Sequence, residues 1–173
     1  MASIQMEGPL YDWAIFQQSS LPQRRSVDNT ALFEELRPML NADQESAFTT
    51  ITSAIESDPQ TAHFYLQGPG GTGKTHLYKT ICYKYRADGK QVLCVASTSV
   101  AALLLPNGRT SHSQFKIPIV LNEDSTCAIT KTSPLGKLLS SVHLIIWDEV
   151  PMQNKRCFLA VHRTMCDLRG ETG

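Results

Sequence analysis

Residues 68–75 read Gly-Pro-Gly-Gly-Thr-Gly-Lys-Thr and match the phosphate-loop pattern G-x-x-x-x-G-K-[ST] at every fixed position. The chemistry needs these residue types in this order. Gly68, Gly70, Gly71 and Gly73, with Pro69 and Thr72 between them, let the backbone curl until successive N–H groups face one anion. Lys74 adds a cation that reaches the outer phosphates, and the Thr75 hydroxyl is a ligand for Mg²⁺. A helix that starts here adds the positive end of its dipole.

The flanks supply the required setting. Residues 62–67 (AHFYLQ) are short, aromatic-rich and apolar, and predict a strand. Residues 75–86 contain no Gly or Pro, and Leu77, Ile81 and Tyr85 recur at helical spacing. Strand, glycine loop and helix follow in order, which a chance glycine-rich loop does not require.

The chain has 173 residues, enough for one domain with a real core. Its formal net charge is zero, so a nucleic-acid partner must use a local basic patch rather than long-range attraction. Five scattered cysteines without a C-x-x-C pair favour free thiols in a reducing compartment. No apolar run reaches the roughly 18 residues of a membrane span. The N-terminus shows no secretory signal pattern, and Ala2 replaces the glycine that myristoylation needs. The expectation is an intracellular, soluble protein.

Residues 1–27 read as a weakly organised segment with a polar linker at 19–26, followed by one domain over 28–173. Residues 29–37 predict a short helix closed by Pro38. A second begins near Asn41, with Gln44 placed as in a capping box and Phe48, Ile51 and Ile55 on one stripe. Gln44 has two readings: a capping residue, or an amide that reads both edges of adenine. Residues 91–97 (QVLCVAS) predict a buried parallel strand, and residues 99–105 a short helix. Residues 109–116 (RTSHSQFK) interleave hydroxyls, a histidine, an aromatic and cations. That composition suits a single nucleic-acid strand stacking on Phe115, and equally a loop with one tucked phenylalanine. Residues 117–134 show no period.

Residues 142–147 (VHLIIW) predict another buried strand, with Asp148 and Glu149 at its carboxyl end, where α/β sheets bind ligands. Asp148 suits Mg²⁺ opposite Thr75, and Glu149 suits orienting and deprotonating a water. A charged turn after a core strand is the plainer alternative. A kinase gains nothing from a water-activating carboxylate there, so the pair favours an ATPase motor. Residues 154–168 predict a last helix, on which His162 and Cys166 are a possible metal pair or a surface pair.

Several stretches together resemble one family: an LNADQ segment, GPGGTGKT, ASTSVAALLLPNGRTSHSQFKIP, LIIWDEVPM and the CFLAVHRTMCDL helix. From Leu40 to Leu168 the chain resembles the motor region of Pif-type DNA helicases, in particular the branch related to rolling-circle (Helitron) transposons. The resemblance implies a P-loop NTPase with a three-layer α/β/α RecA-like parallel sheet. It implies an ATP- and Mg²⁺-dependent helicase moving 5′-to-3′ on single-stranded DNA, in repair, recombination and telomere upkeep. The nucleus is the implied compartment, with the mitochondrion as alternative. By the same resemblance Gln44 reads adenine, Lys74 and Thr75 hold phosphates and Mg²⁺, Asp148 holds the metal and Glu149 the water. Thr98, Ser99, His112, Ser113 and Phe115 fall in segments that line the DNA.

The chain departs from the family at Val150, where alanine is usual, and at His162, where an acid is usual. The family continues with a further strand, between those bearing the phosphate loop and the aspartate, and with a second RecA-like domain carrying arginines. The resulting expectation is an incomplete first motor domain that lacks the C-terminal helicase half. The alternatives are a P-loop ATPase of another kind and an inactive nucleotide-binding remnant of a transposon helicase.

Overall fold

A computed structural model describes residues 28–59 and 62–170; the segment expected to be weakly organised, 1–27, lies outside them. Helix α1 (Asn29–Leu36) starts at Asp28, whose carboxylate accepts from the Thr30 and Ala31 amides at 3.1 Å. A 3₁₀ turn over Arg37–Met39 ends it at the expected proline. Helix α2 (Ala42–Ser57) opens with the expected capping box. The Asn41 side chain accepts from the Gln44 amide at 2.9 Å, and the Gln44 side chain accepts from the Asn41 amide at 3.0 Å. Two orphan donors of the first turn are thereby satisfied. Arg37 covers the Phe48 ring at 4.2 Å and pairs with Glu45, which fixes α1 against α2.

Helix α3 (Lys74–Ala87) buries Leu77, Thr80, Ile81, Cys82 and Tyr85 on one face, including the three positions expected from periodicity. Strand β1 (Val92–Ala96) follows, then α4 (Ser99–Leu104), β2 (Arg109–Thr110) and α5 (Ser111–Phe115). After an irregular stretch come α6 (Pro134–Ser140), β3 (Leu144–Asp148), a 3₁₀ turn over Val150–Met152 and α7 (Lys155–Arg169). Residues 109–115 thus form a short strand and a turn of helix.

The sheet is parallel, with order β2-β1-β3. β1 is its centre, and the register runs from Val92 opposite Leu144 to Ala96 opposite Asp148. Side chains alternate across the pleat. Val92, Cys94, Ala96, Leu144 and Ile146 join one core with α2 and α3. Val95, Leu93, Ile145 and Trp147 join a second core with α6 and α7. Helices on both faces of a parallel sheet make a three-layer α/β/α fold, as expected. Among the described residues no helix is long and apolar enough to cross a membrane.

One expected element is absent. Residues 62–67 form no strand. Ala62 and Leu66 pack on the first core, while Phe64 and Tyr65 are 46% and 64% exposed. The segment lies across a cleft from β3, which is the outer strand of the sheet on that side. A strand exists through its neighbour's hydrogen bonds, and here a gap takes the neighbour's place.

The capping box has a measurable weight. Asn41→Ala is expected to cost about 1 kcal/mol and to lower the thermal midpoint by roughly 2–4 °C. An unchanged midpoint would show that the box contributes nothing.

Candidate nucleotide site

The phosphate loop crosses from the irregular segment 62–67 into α3. Gly71 and Gly73 adopt φ of 78°, the left-handed region that glycine enters without strain. The constraint is tightest at Gly73, where a Cβ would lie 2.3 Å from the Gln44 Nε2. Thr72 Oγ1 donates to the Pro69 carbonyl at 2.9 Å and stitches the turn. Lys74 folds back over the loop, its Nζ donating to the carbonyls of Gly68 at 2.7 Å and Pro69 at 2.8 Å.

Both readings of Gln44 bear on this loop. Its oxygen caps α2, and its Nε2 donates to the Thr72 carbonyl at 3.0 Å, with a longer contact to Gly73 at 3.5 Å. The amide therefore ties α2 to the phosphate loop. A recess of about 480 Å³ opens beside it, lined by Met39, Asn41, Gln44, Gly71, Thr72, Gly73 and His76.

The larger cleft, about 690 Å³, separates residues 62–68 from β3. Gly68, Lys74, Tyr78, Asp148 and Glu149 all line it. The parallel register carries Asp148 to the carboxyl end of β3, and its Oδ1 accepts from the Glu149 amide at 2.9 Å. Glu149 leaves the strand in the left-handed region, φ 55° and ψ 39°, a conformation costly for a residue with a Cβ. The backbone thus turns left-handed immediately after Asp148. Asp148 ends the sheet, and the exposed Glu149 side chain stands beyond it. Thr75 is the second residue of α3, partly buried.

These donors fit ATP and Mg²⁺. A hydroxyl and a carboxylate are hard oxygen ligands, and Mg²⁺ keeps several waters and phosphate oxygens rather than a cage of side chains. No three His, Cys, Asp or Glu side chains cluster among the described residues. His162 and Cys166 approach to 3.8 Å on α7 and remain a surface pair.

The positions expected along DNA divide. Thr98 caps α4, its hydroxyl accepting from the Ala101 amide at 3.2 Å, and Ser99 is exposed beside it. His112 and Ser113 are exposed on α5, where the Ser113 amide donates to Thr110 Oγ1 at 3.4 Å. Phe115 is a correction. It is 1% exposed and its ring stacks on Trp147 at 5.6 Å, so it is the tucked core residue and not a platform for bases.

Tyr78 joins the site without having been expected there. Its phenol is pushed up to about 12, by burial first and then by the charges of Asp148 and Tyr65. The sequence does hold a signal for it, because Tyr78 follows Lys74 by four residues and shares its face of α3. Met39 and His76 of the recess carry no such signal.

A phosphate loop opening a helix, an Asp-Glu pair ending a parallel strand and helices on both faces together define a RecA-like P-loop NTPase domain. Residues 39–173 match the PIF1-like helicase family, and the chain belongs to it. It is similar to the ATP-dependent DNA helicase PIF4 of Trypanosoma brucei brucei, 30% identical over 121 residues. That match covers 68% of this chain and 14% of the relative. It is also similar to the ATP-dependent DNA helicase dda of Enterobacteria phage T4, 30% identical over 125 residues, 69% of this chain and 27% of the relative. The chain therefore spans a minor part of the length of either.

Gly73→Ala is expected to lower nucleotide affinity on the order of tenfold, read by titration with a fluorescent ATP analogue, because φ and Gln44 both oppose a Cβ. The Tyr78 phenol gives a pH signature. Its value is higher folded than unfolded, so its contribution to stability is complete below about pH 10 and is lost as pH climbs through about 12. Asp148→Asn should bring the Tyr78 titration down in a phenolate absorbance scan. A scan that does not move would separate Tyr78 from the acid.

Proposed function

We propose that this chain is the nucleotide-binding part of an ATP-driven DNA helicase that moves 5′-to-3′ on single-stranded DNA. The observation that carries the reading is the convergence of Lys74, Asp148 and Glu149 on one cleft beside the phosphate loop. Lys74 exchanges its two carbonyl contacts for phosphate oxygens. Thr75 and Asp148 hold Mg²⁺, whose charge offsets that of the phosphates. Glu149 orients the attacking water and takes its proton. Gln44 and the recess beside it receive the base. The exposed Ser99, His112 and Ser113 present polar groups to the strand, with Thr98 fixing the turn that carries Ser99. A role in repair, recombination and telomere upkeep, in nucleus or mitochondrion, belongs to the same proposal and rests on family membership.

The cleft also supports the view that this chain is an incomplete first motor domain. It separates the outer strand β3 from an apolar segment that reads as a strand and has not become one. No arginine is among the described residues lining either recess. An arginine finger contributes a factor of roughly 10³–10⁵ to turnover in related chemistry. The chain alone is therefore expected to bind nucleotide, to hydrolyse it slowly and not to unwind DNA.

The deciding measurement is ATP binding and hydrolysis by the purified chain, with and without single-stranded DNA, beside Lys74→Ala and Glu149→Gln. Binding that drops at least tenfold in Lys74→Ala, with little turnover in either protein, fits the proposal. Robust unwinding by the chain alone would overturn its incompleteness. Turnover that Glu149→Gln abolishes but DNA leaves unchanged would favour an ATPase of another kind. Equal, weak binding by wild type and Lys74→Ala would favour an inactive remnant.

A further inference from the structure

Cys82 and Cys94 meet inside the first core. Cys82 lies on the buried face of α3, two turns past Lys74, and Cys94 is the central residue of β1. Their sulfurs are 3.5 Å apart, the Cys94 thiol donating to Cys82, and the residues are 0% and 4% exposed. Cys127 and Cys157 belong to the core on the opposite face of the sheet, and Cys166 is half-buried on α7. Metal binding is poorly served, because no cluster of three ligands exists among the described residues.

The surroundings make the two sulfurs unequal. The bond from Cys94 holds the Cys82 thiol below its usual range against the opposing effect of burial, and the Arg86 cation adds to the lowering. The same bond, together with burial, pushes the Cys94 thiol up. Arg86 is anchored one turn beyond Cys82, donating to the carbonyls of Val92 at 3.0 Å and Pro106 at 3.2 Å. A nucleophilic sulfur with a protonated neighbour in contact is the arrangement of an attacking and a resolving thiol.

We propose that Cys82 and Cys94 are a reversible oxidation site, closed by a peroxide into a disulfide that fastens the phosphate-loop helix to the central strand. The Cys82 thiolate attacks hydrogen peroxide. A sulfur–oxygen bond forms, the oxygen–oxygen bond breaks, and the departing hydroxide takes up the proton that the Cys82 thiol released, becoming water. Cys94 then attacks the sulfenic sulfur. The sulfur–sulfur bond forms, the sulfur–oxygen bond breaks, and the leaving hydroxide takes the Cys94 proton as a second water. Two thiols are oxidised and one peroxide is reduced. Cys82 is fully buried and Cys94 nearly so, so the rate follows the opening of α3 from β1, and a small neutral oxidant has the advantage.

The link would fix two halves of the nucleotide site. α3 carries Lys74 and Thr75, and β1 holds β3, hence Asp148, in register. The loop it closes is short, and in the unfolded chain it removes conformations that folding otherwise must give up.

The test uses the full chain and hydrogen peroxide and is independent of the nucleotide proposal. After blocking of remaining thiols and digestion, mass spectrometry should find a Cys82–Cys94 linked peptide as the dominant cross-link. The oxidised chain should melt higher by about 5 °C or more, and dithiothreitol should reverse the shift. In Cys94→Ala the shift should vanish and Cys82 should be trapped as a sulfenic acid by a dimedone probe; Cys94→Ser serves where alanine fails to fold. Oxidation confined to Cys166, a dominant cross-link elsewhere, or a lower midpoint on oxidation would overturn the proposal.

Discussion

The parallel pairing of β1 with β3 is the constraint from which the rest of the structure follows. Its register sets Ala96 opposite Asp148, so the acid ends at the carboxyl edge of the sheet, on the side where β1 passes into the Thr98 cap. Parallel strands need covered faces, and the alternation along β1 sends Cys94 and Val95 into different cores. α3 lies over one of these faces, and its first turn carries Lys74 to the cleft that Asp148 shares. A slip of one residue would exchange the faces and take the aspartate away from the lysine.

Features that depend only on neighbours along the chain are legible in the amino-acid sequence alone. The capping box at Asn41 and Gln44 needs only a spacing and two side chains. The face of α3 needs only a period, and the glycine loop only its residue types. The strand expected at 62–67 fails because a strand is a relation between two segments, and composition records only one. The expectation of a stacking platform at Phe115 fails for a related reason. Nothing within 109–116 discloses that Trp147, far along the chain, offers it a ring at 5.6 Å. The left-handed turn at Glu149 is equally silent, since a glutamate carries no mark of positive φ.

Gln44 shows how a local and a distant role share one side chain. Read locally it is a cap; read by resemblance it belongs to the nucleotide. The structure gives its oxygen to the start of α2 and its nitrogen to the phosphate loop. A helix start and a glycine turn become one unit, and a recess forms at their seam.

On the proposed function, the two bonds from Lys74 to the Gly68 and Pro69 carbonyls make phosphate binding an exchange rather than an addition. The ammonium is already solvated by its own backbone, so a ligand must offer more than two neutral oxygens do. A small monovalent anion such as chloride would offer the ammonium a single contact in place of those two. A polyphosphate offers several charged oxygens in a row, spanning the lysine and the loop amides together. Under that proposal, a preference for chains of phosphate over small anions would be set by a competitor that the protein carries in its own main chain.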